Sequence, residues 1–272
     1  MSHDVAGPSP ALILDALPGD AHALAVGFSG GVDSSVLLDL AGQCGHPVRA
    51  IHIHHGLSPD ADQWTDHCRS VCQRYGIDLQ VVGVRPHQQG QGPEAAARQA
   101  RYQAFEAALA EGEALLLGHH ADDQAETLLL RLLRGTGPDG MGGMARVRPL
   151  GKGWLVRPLL DQTRRDLKAY AHDQGLGWVD DPSNDQSRFD RNYLRHHVLP
   201  ALIARWPQAV SAITRYACHR REEAQATRPL VDRWLAEHAL FNGPGGDAAP
   251  GAIGPLPVES LAAEPIPLQR VL

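Results

Sequence analysis

The sequence predicts an α/β fold, a doubly wound parallel sheet followed by a smaller helical region. Two observations predict it: short apolar runs that end near glycine, and helix-length segments between consecutive runs through the first two-thirds of the 272 residues. Strands spaced in this way pair in parallel through right-handed crossovers.

The elements follow in order. Ala23 to Phe28 is an apolar run ending in SGG, and VLLDLAGQC repeats its apolar residues at helical spacing. The pair reads as strand, tight turn and a helix starting near Ser34. VRAIHIHH (48–55) alternates as a strand and stops at Gly56, residues 58–75 read as a helix beginning near Pro59, and DLQVVGV (78–84) is the next strand. Glu94 to Ala110 is helical by propensity. ALLLGH (114–119) is a buried strand, and Ala121 to Arg134 is a helix closed by Gly135. The texture then changes to GTGPDGMGGMARVRPLGKG, read as a mobile loop beside the site. Leu155 to Leu160 returns to strand character, Thr163 to Gln174 is a helix capped by Thr163 and Gly175, and Arg191 to Ala204 is another. From Trp206 the pattern is helical, a Gly/Pro/Ala linker covers 242–256, and the chain stops at PIPLQRVL inside a new amphipathic segment.

Composition narrows the function. A net charge of -6, from 31 acidic and 25 basic residues, excludes a protein that coats nucleic acid through overall charge, so any such contact is local. Cys44, Cys68, Cys72 and Cys218 form no CxxC pair, which argues against a disulfide framework or a metal-sulfur site and leaves buried or incidental thiols. The start lacks a basic n-region, and no apolar run approaches the ~20 residues that span a bilayer. A cytoplasmic enzyme with no membrane partner is expected.

In a doubly wound sheet the ligand sits where the first strand turns into its helix, and SGGVDS falls there. Gly30 and Gly31 can take positive φ and bring backbone N–H groups close to an anion, and the hydroxyls of Ser29 and Ser34 can donate to phosphate oxygens. The helix start adds its positive dipole end. The lysine of the common ATPase loop and the GxGxxG pattern are both missing, so phosphate is gripped by another scheme. Asp33 would repel a bound phosphate unless a divalent cation lies between them, and magnesium takes one or two carboxylates plus phosphate oxygens. Asp33 thus reads as a Mg2+ ligand; its alternative is a helix cap.

SGGVDS resembles the signature of the N-type ATP pyrophosphatases, whose loop binds the pyrophosphate part of ATP. HHGLS (54–58), PEAAARQARY (93–102), GHHADDQAETLLLRLLRGTG (118–137), RPLL (157–160) and WVDDPSNDQSRFDRNYLRHHVLP (178–200) extend the likeness. Together they resemble the tRNA(Ile)-lysidine synthetases over residues 23 to 200. The resemblance implies a Rossmann-like sheet of the adenine-nucleotide alpha hydrolase type. It implies ATP with Mg2+ as cofactors, and free L-lysine and tRNA(Ile) with a CAU anticodon as partners. ATP would activate C2 of the wobble cytidine as an adenylate, and the lysine side-chain amine would displace AMP. Residues 1–205 would form the catalytic domain, and 206–272 a helical linker with the start of a C-terminal tRNA-binding domain, cut short. A homodimer is left open. The tRNA thiolating relatives rely on paired cysteines that this chain does not supply. The alternatives are another ATP pyrophosphatase, acting in RNA thiolation or small-metabolite amidation, and an ATP-binding protein without turnover.

The resemblance also points to residues. The loop set is Ser29, Gly30, Gly31, Val32, Asp33 and Ser34, with His52 and His54 on the strand whose end supplies the expected adenine contact through its backbone; at least one of His52, His54 and His55 is expected to pack in the sheet. In GHHADDQAET, His119 and His120 sit at the strand end as proton acceptors. Asp122 and Glu126 share one helix face as a carboxylate pair for the lysine ammonium or a second metal ion, and Asp123 lies beside a histidine if the turn is tight. The alternative is that Asp122 and Asp123 complement the helix dipole while Glu126 is solvated. Arg98 and Arg101 share a face and can reach one anion, with Glu94 one turn before Arg98. RNA contacts are expected from Arg131 and Arg134, Arg146 and Arg148, and Arg188, Arg191 and Arg195, the last two one turn apart along a phosphate backbone. For any single arginine a solvated helix face is the alternative.

Overall fold

A computed structural model describes residues 7–56, 60–85, 93–181 and 189–238. Six strands form one sheet: β1 (Ala23–Gly27), β2 (Val48–His54), β3 (Asp78–Gly83), β4 (Glu113–Leu116), β5 (Val147–Leu150) and β6 (Gly153–Val156). Their spatial order is β3-β2-β1-β4-β6-β5. All neighbours pair in parallel except β5 and β6, an antiparallel hairpin at one edge. The chain runs outward one way from β1 and then the other way through β4. The switch point, where doubly wound sheets open a cleft, therefore lies between β1 and β4.

Helices cover both faces because the strands alternate between two apolar clusters. Leu24, Val26, Ala50, Leu116 and Val156 face one side, where α2 (Val32–Gly42), α3 (Ala61–Tyr75) and α6 (Arg164–Asp173) contribute side chains, together with the single turn α1 (Ala11–Leu14). Ala25, Ile51, Leu115 and Leu155 face α4 (Pro93–Ala108), with its Phe105. α2 is central: Val36, Leu37, Leu38 and Leu40 are each at most 1% exposed, and burying each such side chain is worth about 2 kcal/mol. α6 begins with a capping box in which Thr163 and Asp166 satisfy each other's backbone N–H.

α5 (Ala121–Leu133) meets a last group of helices: α7 (Asp190–Tyr193), a π-helical turn (Leu194–Val198), α8 (Leu199–Arg205) and the long α9 (Ala209–His238). Ala121 and Ala125 pack with Leu199 and Val210. Among the described residues, no helix is long and apolar enough to cross a membrane.

Several expectations need correction. The glycine-rich segment after Arg134 is not a bare loop: Pro138–Gly142 forms a 3-10 turn and Val147–Leu150 is β5. Side chains from elsewhere hold its backbone. Gln124 donates to Met144 O at 3.0 Å and accepts from Met144 N at 2.7 Å, Arg131 donates to Gly140 O and Gly143 O, and Arg221 of α9 donates to Gly142 O and Met144 O. The sheet is accordingly mixed at one edge, and α2 starts at Val32 with Gly31 as its N-cap. Arg188 and the 242–256 linker lie outside the described residues.

Candidate active site

The cleft at the switch point measures about 270 Å3 and is lined by the ends of three strands and two helices. β1 delivers Gly27, Phe28 and the loop residues Ser29, Gly31, Asp33 and Ser34. β2 delivers Ile51, Ile53 and His55; β4 delivers Leu117, Gly118 and His119; α4 delivers Arg98, Arg101 and Tyr102. The loop is internally tied: Ser34 Oγ donates to Gly31 O at 2.9 Å and accepts from Ser29 N at 3.2 Å. Gly30 has φ +84°, a region that favours glycine, and a Cβ there would meet Cys68 and Val179. Gly118 allows a different close approach, since a Cβ on it would stand 3.0 Å from the Asp33 carbonyl oxygen.

Within the expected loop set, Ser29, Gly31, Asp33 and Ser34 line the cleft, whereas Gly30 faces Cys68 and Val32 is buried in the core. His52 and His54 do not line it. Strand side chains alternate, and the parity that faces the cleft is Ile51, Ile53 and His55. His52 points the other way, its Nδ1 2.9 Å from Phe28 O, and His54 stands 3.0 Å from Asp62. His55 is a residue the sequence reading left without a role. Burial, reinforced by Arg101, lowers its pKa to about 4, and its buried Nδ1 has no hydrogen-bond partner among the described residues.

The two histidines of GHHADDQAET part company. His119 lines the cleft, and its Nδ1 accepts from Arg157 Nε at 3.3 Å. Burial, against the pull of Asp123 and with the push of Arg157, takes its pKa down to about 3. It is therefore neutral with the proton on Nε2, a donor rather than a proton acceptor. His120 is buried among three carboxylates: Asp33 at 3.6 Å, Asp122 at 3.5 Å and Asp123 at 3.5 Å. Burial opposes its charge, but Asp123, Asp122 and Asp33 outweigh burial and raise its pKa to about 8. As an imidazolium it directs Nδ1–H to Asp122 rather than accepting from the Asp123 N–H. It is no proton acceptor either.

Asp122 and Glu126 are not a pair. Asp122 accepts from the Arg164 backbone N–H at 2.8 Å, while Glu126, wholly buried rather than solvated, joins Asp123. Arg191 and Arg195, expected on a phosphate backbone, are paired with these two carboxylates. Arg191 Nε lies 2.6 Å and Arg195 Nε 2.7 Å from Glu126, and both guanidinia reach Asp123, at 3.0 and 3.2 Å. The π-helical turn that carries Arg195 brings it to the same carboxylates as Arg191. Asp123, which burial pushes up, is held below the usual carboxylate range by His120 and Arg191. Arg98 and Arg101 do reach one cleft; the Glu94 side chain lies outside the described residues. Arg131 is spent on the glycine-rich backbone, and Arg134 is exposed, 3.7 Å from Asp190.

The residues fit a cation at Asp33. Its Oδ2 faces His120, but its buried Oδ1 has no hydrogen-bond partner among the described residues, and burial raises its pKa, the mark of a carboxylate short of positive charge. No cluster of three His, Cys, Asp or Glu able to hold a metal occurs among the described residues. A magnesium ion there would thus need phosphate oxygens to complete its shell. Cys68 and Cys72 are buried, with thiols pushed up to about 12 and about 11 by burial, and no cysteine lines the cleft.

This arrangement defines the class: a glycine- and serine-rich loop at the switch point of a doubly wound sheet, without the lysine of the common ATPase loop. The chain matches the PP-loop domain over residues 11–202 and belongs to that family of ATP-binding domains. It is 53% identical over 220 residues to the tRNA(Ile)-lysidine synthase of Pseudomonas fluorescens, covering 79% of this chain and 50% of that protein. It is 47% identical over 236 residues to the tRNA(Ile)-lysidine synthase of Methylococcus capsulatus, covering 84% and 53%. The chain spans about half the length of the curated relatives it matches. Among solved structures, the U34-tRNA thiolase NcsA from Methanococcus maripaludis shares the fold. Its TM-score is 0.62 at 18% identity, over 78% of this chain and 77% of that one.

Proposed function

We propose that this chain carries the catalytic part of a tRNA(Ile)-lysidine synthase: it uses ATP to join free L-lysine to C2 of the wobble cytidine of tRNA(Ile) with a CAU anticodon, giving lysidine, AMP and pyrophosphate. The observation that carries this reading is identity of about half over most of the chain to proteins of that name, and the PP-loop cleft is consistent with it. The division 1–205 and 206–272, the second piece opening a tRNA-binding domain, belongs to the same reading, as does action in the cytoplasm.

The pyrophosphate part of ATP lies on Ser29, Gly31 and Ser34 at the start of α2, and the adenine lies against Ile51 and Ile53. Mg2+ held by Asp33 and phosphate oxygens would supply charge neutralisation on the departing pyrophosphate. The cytidine C2 oxygen attacks the α-phosphorus, and Arg98, Arg101 and the Nε2–H of His119 face the charge that develops. Lysine is taken up at the start of α5, where the Asp123, Arg191 and Arg195 side chains keep 12, 23 and 18% exposure, while the wholly buried Glu126 braces the two arginines from within. With His119 neutral through its donor tautomer and His120 cationic, the amine proton passes to solvent. The loop governs how ATP is cut, and the α5 cluster governs what displaces AMP.

Incubation with ATP, Mg2+, radiolabelled lysine and tRNA(Ile) bearing CAU tests this. Label in RNA with matching AMP release is expected. Pyrophosphate release without RNA would move the chain to a small-metabolite synthetase, and unchanged ATP under every condition would make it a binding protein.

A further inference from the structure

A second cleft of about 380 Å3 opens beside the first and shares Arg98 and Tyr102 with it. Arg131, Arg148 and Arg157 complete its polar lining. Four guanidinia gathered in one cleft are unusual in a chain of net charge -6. None of the four is ion-paired to a carboxylate among the described residues. Three are gathered around one phenol. Arg98 Nη2 and Arg157 Nη2 donate to Tyr102 Oη at 3.3 and 3.1 Å, while Arg98 and Arg148 place Cζ 5.1 and 5.6 Å from the centre of its ring. Arg157 is only 4% exposed, and its other partners are His119 and the Ala145 carbonyl, both neutral. A buried cation without a counter-charge is costly, and like charges held this close repel. With no carboxylate paired to these charges among the described residues, the cluster suits an anion.

We infer that this cleft binds phosphodiester groups of the RNA strand that carries the reacting nucleotide. The geometry favours a strand over ATP itself. The ATP phosphates have their own cradle on the Ser29–Ser34 side of the first cleft, and no residue of that loop lines the second. A strand crossing the second cleft would present its next base through the shared Arg98–Tyr102 wall into the first, toward the α-phosphate. Guanidinia suit this occupant because they bond phosphate oxygens in a planar, two-pronged way. The inference rests on the proposed RNA substrate and adds where that RNA is gripped. Arg131 keeps its hold on Gly140 and Gly143 while lending its charge. Arg148, whose side chain donates to the neighbouring Pro149 carbonyl and to no other group among the described residues, is the most available of the four.

The test measures binding of tRNA(Ile) bearing CAU, and of its anticodon stem-loop, to the full 272-residue chain over a range of salt concentrations. Arg148→Gln is compared with Arg165→Gln, which removes the same charge at an exposed position on α6, outside both clefts. The expected result is a loss of RNA affinity of about tenfold with Arg148→Gln and a log-log salt slope shallower by about 0.7 to 1. Arg165→Gln should change neither appreciably, and ATP affinity should stay within twofold in both variants. Equal effects of the two substitutions on RNA, no effect of either, or no RNA binding by the unsubstituted chain would overturn the inference. So would a loss with Arg148→Gln confined to ATP or inorganic pyrophosphate, which would assign the cleft to the nucleotide. A lysine-incorporation assay separates the two readings. Ligation with Arg148-independent RNA binding sinks the cleft alone, whereas Arg148-dependent RNA binding without ligation sinks the proposed reaction and leaves the cleft.

Discussion

The Ser29–Ser34 loop and the acidic start of α5 face each other across His120, yet they are built in opposite ways. The loop is made from consecutive residues and holds its shape with its own hydroxyls and carbonyls. The α5 cluster is assembled from segments some 70 residues apart, with Asp123 and Glu126 on one side and Arg191 and Arg195 on the other. Its charges neutralise one another inside the protein. A contiguous site can be read from its own sequence, whereas an assembled one needs to be seen folded.

The largest expected effect breaks the assembled half. Glu126→Ala removes the buried carboxylate that Arg191 and Arg195 share and should lower the unfolding free energy by about 3 to 5 kcal/mol, as when one member of a buried pair is removed. Urea denaturation measures this, and a loss under about 1 kcal/mol would mean that the cluster is not a structural clamp. The loop should respond less. Gly30→Ala forces a side chain into positive φ beside Cys68 and Val179, at about 2 kcal/mol. A weakening of ATP binding larger than that of stability would show that the strain is felt at the loop.

What the sequence made legible follows the same division. The parallel strands β1 to β4 with their intervening helices, and the loop, followed from apolar runs and a tight glycine turn, signals local to a few residues. β5 was missed because VRPL is four residues long and contains Pro149, and because its segment is ordered by Gln124, Arg131 and Arg221 rather than by any period of its own. His52 and His54 were expected on a strand whose backbone end meets adenine, and their side chains turn away from the cleft, which Ile51, Ile53 and His55 line. Ile51 to His54 alternates apolar and polar residues, but alternation alone does not say which set meets the cleft: here the isoleucines line it, and His52 packs inside against Phe28 O. Tyr102 and Arg157 stood in quoted motifs without a role, since only folding brings α4 and the end of β6 together. The partner of Glu126 was hidden for the same reason.

The junction between the two halves gives a subtler prediction. His120 has a folded pKa raised to about 8 from an ordinary value near 6.5. Its contribution to stability is complete below pH 6.5 and is lost as pH rises through 8, a decline of about 2 kcal/mol. The buried histidines with lowered pKa values, His119 and His55, titrate below this window and leave it undisturbed. Urea midpoints taken from pH 6 to pH 9 should fall, and His120→Gln should flatten the curve; an unchanged slope in that variant would place the titration elsewhere.

The claim that the loop cuts ATP while the α5 cluster governs what displaces AMP is tested most directly by Asp123→Asn. The variant would be supplied with ATP labelled at the α-phosphate, tRNA(Ile) bearing CAU, and lysine. The account predicts continued pyrophosphate release and accumulation of label on the RNA, with little lysine joined. Loss of pyrophosphate release to the level of Asp33→Asn would contradict it.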